Sequence, residues 1–413
     1  MLEKINGFIW GYGLIFLLLA TGIAYTFKLR FIQFRLFSFL FSSTRKNENK
    51  GLSQFKTVCM SLGTAMGTGN ITGVASAVAI GGAGAVFWLW VSAFFGMALV
   101  YAENSLSVMY SNGISRGPMA YLEKGLGNRV SACIFATFCI LASFGMGGAV
   151  QINTFAESLY MCTDINKYIP AVIIFIILFF TIKGGAERIG SLSQILLPTA
   201  SIAYIVLSVA VIYRFRGNIP EVFRNIFAEA FGTRQISGGI FGFTVSEALS
   251  AGIRRGIFSN EAGLGSSPIL HSSAESDSPH LQGMWSMFEV FFDTFVCCTL
   301  TALVILCSAP DFSVNTAFSS VTGNKSGIFL TAETAVFSFC TVIGWYYCGE
   351  TAFIYIFGEK YKKIMCIVFA VISASGALLK LETVWTLSDI FNGLMAFPNL
   401  LGLILLMNKV KKE

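Results

Sequence analysis

Two glycine-rich stretches, each lying inside a long apolar run, gather the residues best able to do chemistry. The first is Gly63-Thr64-Ala65-Met66-Gly67-Thr68-Gly69-Asn70, and the second runs Arg254-Arg255-Gly256-Ile257-Phe258-Ser259-Asn260-Glu261-Ala262-Gly263-Leu264-Gly265-Ser266. Glycine in a helix interior costs about 1 kcal/mol relative to alanine, so helices are expected to open at both places. An opened turn frees backbone N–H groups at the positive end of a half-helix, which suit a carboxylate. The carbonyls freed on its other side suit Na+, a cation that prefers oxygen. In the first stretch Thr68, Gly69 and Asn70 are the candidate ligand contacts, a hydroxyl and an amide interleaved with glycine. The four-residue spacings Gly63/Gly67 and Gly69/Gly73 also serve close helix packing, which leaves Thr68 and Asn70 unexplained. The GxGxxxG spacing lacks the strand–turn–helix context and the Walker lysine of a nucleotide site.

In the second stretch Ser259 and Asn260 are the candidate ligands. Arg254, Arg255 and Glu261 are charges within an apolar run, and such charges are paired or face a cavity. An Arg–Glu pair bracing the helix and direct ligand contact both stay open. Phe144, Gly148, Gln151 and Phe155 follow one another at helical spacing, which places Gln151 on a shared face as a pocket wall or as an amide satisfied by a neighbouring helix. Asn153 lies off that face and reads as structural. Thr334, Ser338, Thr341 and Trp345 share another face. Those hydroxyls can coordinate Na+ together with carbonyls of the first stretch, or bond back to their own helix. Trp345 can close a pocket over a small side chain or pack as an ordinary apolar residue. Glu289 and Asp293, four apart, fit a proton path or a capping role, and the acids of the apolar runs are left unassigned. His271 and His280, the only histidines, make neither a zinc site nor a catalytic triad.

The elements that must position these residues are membrane helices. Of 413 residues, 55% are hydrophobic and 12% charged, with a mean hydropathy of +0.71; a soluble domain carries about 25% charged residues. Eleven apolar spans are expected, near 8–27, 58–80, 86–110, 130–160, 169–183, 190–213, 238–270, 284–308, 328–357, 364–380 and 386–407. The first has no small-residue cleavage site and reads as a retained helix rather than a signal peptide. Polar connectors are short except at 28–57, 111–129, 214–237 and 309–327, and Ile219 to Phe231 reads as an interfacial helix opened by Pro220. The ten cysteines show no metal-binding spacing and read as free packing thiols. The net charge of +6 is spread over loops, which gives no nucleic-acid surface. Eighteen basic residues fall on the side holding the C-terminus and eight on the other, which places the N-terminus outside and the C-terminus in the cytoplasm of a multi-pass cell-membrane protein.

Without the first span, ten remain, and an odd number per half inverts the second half relative to the first. The expected organisation of the single domain, 1–413, is an extra N-terminal helix and cytoplasmic loop at 8–57, a first repeat at 58–213 and an inverted five-helix repeat at 238–407. Each repeat opens on a broken helix, at spans 2 and 7. Paired breaks in corresponding halves point to a midplane site for a small solute and its coupling ion. A channel would need a continuous polar stripe or a repeated filter, and an enzyme a nucleophile–base or metal constellation; the sequence offers neither.

Several motifs resemble the alanine/glycine:cation symporter family. They are Gly67-Thr68-Gly69-Asn70-Ile71, Gly73-Val74-Ala75, Ile80-Gly81-Gly82-Ala83-Gly84-Ala85-Val86-Phe87-Trp88, the stretch Arg255 to Ser266 with its Ser-Asn-Glu-Ala-Gly core, Asp293-Thr294, Gly344-Trp345-Tyr346-Tyr347 and Pro398-Asn399-Leu400. The resemblance covers nearly the whole chain and implies an all-α fold similar to the leucine transporter, with alternating-access import of alanine, glycine or a related neutral amino acid driven by a cation. It implies that Thr68, Gly69 and Asn70 hold the substrate's carboxylate end or the adjoining ion, and that Gln151 and Trp345 shape the pocket. By analogy with the wider fold, Gly63 and Met66 carbonyls with Ser338 and Thr341 hydroxyls form a Na+ site. Ala83 stands where the family has proline in Gly-Gly-Pro-Gly, and Arg116-Gly117-Pro118 replaces a Gly-Gly-Pro; both sit at loop ends and bear on gating. No cofactor is expected. The expected partners are a small neutral amino acid, Na+ and the lipid bilayer, with H+ in place of Na+ and glutamine in place of alanine left open.

Overall fold

The computed structural model describes residues 2–43, 53–166, 168–232, 245–274, 278–309 and 311–411. Among these residues eight helical stretches are long and apolar enough to cross a membrane: Leu2–Lys28, Gly84–Tyr110, Arg129–Thr163, Gly185–Arg214, Pro279–Ser308, Val314–Phe357, Glu359–Leu378 and Glu382–Leu405. The other three expected spans fall on shorter helices. Tyr168–Ile182 is a continuous apolar helix of 15 residues. The remaining two are interrupted, and residues 238–244 of the expected seventh span lie outside the described residues.

The first interrupted helix runs Gln54–Ala65 and resumes as Thr72–Gly81. Ser53 caps its start by accepting from the Lys56 amide at 3.3 Å. It stops because Met66 turns out of helical geometry at ψ 72°, and a single 3-10 turn, Thr68–Asn70, bridges the gap. The second runs Val245–Asn260 and resumes as Ser267–His271. Here Gly263 and Gly265 adopt φ of 86° and 87°, left-handed backbone that glycine reaches without steric cost. Glu261 shares that region at φ 56°, which a side chain holds only where its surroundings impose it.

Two other helices carry wider, π-type turns, Ser143–Val150 within Arg129–Thr163 and Phe291–Cys298 within Pro279–Ser308. A π turn leaves a carbonyl without its usual donor. In each case a side chain five residues on supplies one: Gln151 Nε2 donates to the Met146 carbonyl at 3.2 Å, and Thr299 Oγ1 to the Thr294 carbonyl at 3.1 Å.

Every residue from Thr57 to Thr64 is buried, so the first interrupted helix sits inside the bundle. Gly84–Tyr110 packs along both Val245–Asn260 and Pro279–Val290, while Ser326–Phe357 and Gly185–Arg214 close over Gln54–Ala65. The outer faces expose Ile173, Ile176, Phe180, Ile195, Ile202 and Val206, apolar side chains suited to lipid rather than water.

Two expectations need correction. The long connector at 28–57 is not wholly polar coil: a 3-10 turn at Ile32–Arg35 leads into the helix Leu36–Ser43, because Phe34, Phe37 and Phe41 give that stretch an apolar surface to lay down. Gln151 does not share the face of Phe144 and Gly148, since the π turn that ends just before it breaks the count of 3.6 residues per turn. Phe144 packs on Phe369 and Gly148 lies against Ser373, whereas Gln151 turns to the first helix break. Helix Ile219–Ala230 forms as expected with proline in its first turn, and its Glu229 accepts from the Ala83 amide at 2.7 Å.

Candidate functional site

The two breaks meet in the interior, and the contact is built from short side chains. At the first break the Gly67 amide turns back to the Ala65 carbonyl at 2.8 Å, which releases the carbonyl of Gly63 from the helix ladder. Thr341 Oγ1, from Ser326–Phe357, donates to that carbonyl at 3.0 Å. Gln151 Oε1 accepts from the Thr68 amide at 3.1 Å, so the turn's first N–H is already aimed at an oxygen. Gly67 is required here by proximity: a β-carbon on it would lie 2.7 Å from Thr341 Oγ1 and 2.8 Å from Gln151 Oε1. Gly63, Gly67, Thr68, Gln151 and Thr341 thus form one cluster of oxygen and N–H groups.

One member of that cluster, and one residue beside Thr341 on its helix, carry unspent polar capacity. The hydroxyls of Thr68 and of Ser338, one turn before Thr341, are buried and have no hydrogen-bond partner among the described residues. A buried oxygen of this kind costs free energy until something polar reaches it. The Met66 carbonyl belongs to the residue that leaves the helix, but among the described residues no side chain is drawn to it as Thr341 is to Gly63.

The second cluster centres on Asp293, which lies in the π turn of Pro279–Ser308 and is wholly buried. Asn70 Nδ2 donates to its Oδ1 at 2.6 Å, and Ser259 Oγ and Thr294 Oγ1 donate to its Oδ2 at 2.9 and 3.0 Å. Asn260 Nδ2 reaches Thr294 Oγ1 at 3.2 Å, and its Oδ1 accepts from the Ala262 amide at 3.1 Å, stabilising the second break. Gly69 lies against Ser259 and Phe258, with 3.3 Å from a β-carbon built on it to the Ser259 Cα. One carboxylate therefore ties the 3-10 turn of the first break to the end of the helix that precedes the second. No cationic side chain pairs with Asp293 among the described residues.

Trp345 is tied to the second break. Its Nε1 donates to Glu261 Oε1 at 2.8 Å, Ser266 bonds the other carboxylate oxygen, and the indole packs on Gly147. This corrects the arginine–Glu261 pairing left open from the sequence. Arg254 instead pairs with Asp389 at 3.4 Å, and Arg255 stacks over Trp385 at 4.7 Å. Asn153 holds the Gly376 and Leu379 carbonyls, both at 2.7 Å, a structural role.

Sequence reasoning named Asp293 but gave it no place, because nothing in the spacing of Glu289 and Asp293 says which helix they face. Both face the first interrupted helix, Glu289 at Ser61 and Asp293 at Asn70. The usable signal was the absence of any basic residue near Asp293 in sequence, which leaves a buried carboxylate to be balanced by something else.

The model of the sodium:alanine symporter family matches residues 1–413. A sodium/alanine symporter of Methanococcus maripaludis, AgcS, is 36% identical over 437 residues, spanning 100% of this chain and 96% of that protein. A probable sodium/glutamine symporter of Bacillus subtilis, GlnT, is 36% identical over 422 residues, spanning 97% of this chain and 87% of its own length. Among solved structures, the crystal structure of MhsT in complex with L-phenylalanine superposes with a TM-score of 0.57 at 14% identity, covering 86% of this chain and 89% of that one. At that identity the likeness concerns the fold, which is that of the leucine transporter.

Proposed function

This chain belongs to the sodium:alanine symporter family, and from that premise we propose that the junction of its two helix breaks is where substrate and ion bind. The family is one of secondary active transporters, not of enzymes, and the protein is a multi-pass membrane symporter. The finer reading is import of alanine or glycine with Na+ by alternating access, with repeats at 58–213 and 238–407 related by inversion. The N-terminus is placed outside and the C-terminus in the cytoplasm by the bias of basic residues.

One observation carries the site: the Gly63 carbonyl, freed at the break, lies 3.0 Å from a hydroxyl of another helix. Such pairs of a loosened carbonyl and a facing hydroxyl are the material of a Na+ site. We assign the ion to the carbonyls of Gly63 and Met66 and the hydroxyls of Thr341 and Ser338. The substrate's carboxylate is assigned to the Thr68–Gly69–Asn70 turn, whose N–H groups stand at the start of Thr72–Gly81. Gln151, Ser259, Asn260 and Trp345 bound the pocket. Asp293 supplies the fixed negative charge that a cationic cargo group offsets. Ion and substrate each satisfy groups that the other leaves open, so each raises the other's affinity, and reciprocally.

Uptake of radiolabelled alanine into proteoliposomes tests this reading. Saturable uptake under an inward Na+ gradient, absent with K+, is the expected result. Uptake driven by a pH gradient alone would move the coupling to a carboxylate, with Asp293 first in line. No uptake of alanine or glycine under any gradient would overturn the substrate assignment.

A further inference from the structure

A second buried polar network shares no residue with the proposed binding site and runs along the first interrupted helix from Gln54 to Ser61. His271, on Ser267–His271, is 1% exposed and both its ring nitrogens are engaged: Nε2 with Glu289 Oε1 at 2.8 Å and Nδ1 with Gln282 Oε1 at 2.7 Å. The other oxygen of Glu289 accepts from Ser61 Oγ at 2.6 Å. Gln282 and Gln54 exchange amide bonds, Gln282 Nε2 donating to Gln54 Oε1 at 2.8 Å and Gln54 Nε2 to Gln282 Oε1 at 3.2 Å. Gln54 is half-buried in the first turn of its helix, so the chain Gln54–Gln282–His271–Glu289–Ser61 leads from the surface into the bundle.

The donors and acceptors of this chain count protons. Gln282 presents an oxygen to Nδ1, so Nδ1 carries hydrogen and donates. The contact between Nε2 and Glu289 then needs a proton of its own, held as imidazolium and carboxylate or as imidazole and acid. Without it, a lone pair faces a carboxylate and the pair carries an unbalanced buried charge, which is strongly unfavourable. Repair requires Nδ1 to give up its hydrogen and both glutamine amides to flip.

We infer that His271 and Glu289 form a proton-binding site that latches the Gln54–Ala65 half-helix to the Ser267–His271 half-helix, closing the molecule at that end. The inference rests on reading the two broken helices as the moving parts of the symporter. Proton loss to water weakens the latch and lets Ser61 and Glu289 part. The proton leaves as hydronium, no bond other than N–H or O–H changes, and Gln54 marks the exit. Basic-residue bias places that exit on the cytoplasmic side.

Among the described residues, most other titratable groups on the packed elements are held by partners of their own. Cys59 and Glu261 lie within electrostatic reach of Glu289. Glu261 is bonded to Ser266 and Trp345, Glu103 to Asn399, Lys56 to Glu187, Tyr101 to His280 and Tyr347 to Arg116. On Ser326–Phe357, Tyr346 bonds Glu350, which also pairs with Lys362 at 3.0 Å, and Cys348 donates to the Ser266 carbonyl.

Cys59, on the latched half-helix and 4% exposed, is a built-in reporter. In a full-length chain whose only cysteine is Cys59, its alkylation in proteoliposomes is measured against internal and external pH, each rate normalised to the unfolded chain at the same pH. Protection is expected at low internal pH and should fall by up to about tenfold per unit as internal pH rises, the limit for one proton. His271→Gln and Glu289→Gln should each flatten that dependence, and Ser61→Ala should leave Cys59 reactive at every pH. Wild-type steepness in both His271→Gln and Glu289→Gln, dependence on external pH alone, or full protection in Ser61→Ala would overturn the inference. The labelling needs no substrate, so failure of alanine uptake would sink the proposed function and leave the latch to be judged on its own.

Discussion

Asp293 shows what one residue does when buried with no cationic partner among the described residues. Three donors, Asn70, Ser259 and Thr294, hold its carboxylate in place, and none neutralises it. Asp293→Asn keeps the shape and removes the charge, so the affinity for a cationic cargo group should drop at least tenfold while the protein still folds, measured as alanine binding and as thermal stability in detergent. Thr341 gives a finer test, because its hydroxyl and its packing can be separated. Thr341→Ala should raise the Na+ concentration needed for half-maximal uptake by about 5- to 30-fold, the loss of one buried oxygen contact worth roughly 1–2 kcal/mol, whereas Thr341→Ser should stay near wild type. At this scale several residues of the proposed site were legible: the interleaved Thr68 and Asn70 and the hydroxyl of Thr341 stood out by type and spacing, and the fold brings each to a helix break. Asp293 did not, because a carboxylate's partners come from helices distant in sequence.

Between residues and fold, the breaks and π turns determine where these groups point. Gly67 is held in the gap between Thr341 and Gln151, so Gly67→Ala must push one of them aside. We expect near-complete loss of uptake with little change in expression, checked by transport and by size-exclusion profile. A variant that transports normally would show that the three groups do not converge. The breaks were readable because glycine clusters in apolar runs have few other uses. The π turns were not, since Ser143–Val150 and Phe291–Cys298 carry no residue type that marks them. That gap misplaced the Gln151 face, an error of assumed period. The helix at Leu36–Ser43 was hidden for a different reason, because its apolar residues are too few to count as a span.

Across the whole molecule, hydropathy gave the membrane class and charge bias an expected topology, while packing between halves could not be read. The buried core is stitched by polar pairs that join distant parts, among them Asn399 Nδ2 to the Gly263 carbonyl at 2.9 Å and Tyr25 to the Leu403 carbonyl at 2.7 Å. A symporter organised this way should be stabilised by its cargo. Na+ at 100 times its dissociation constant should add about 2.7 kcal/mol to the stability of the bound state, read as a rise in melting temperature that K+ does not give. The central claim, that ion and amino acid meet at the two breaks, is tested most directly by equilibrium binding of radiolabelled alanine to purified protein across a Na+ titration. The account predicts that alanine affinity rises with Na+, that the Na+ midpoint falls with alanine by the same factor, and that Thr341→Ala shifts the curve to higher Na+. Alanine binding that is indifferent to Na+, or a Thr341→Ala curve that overlays the wild type, would contradict it.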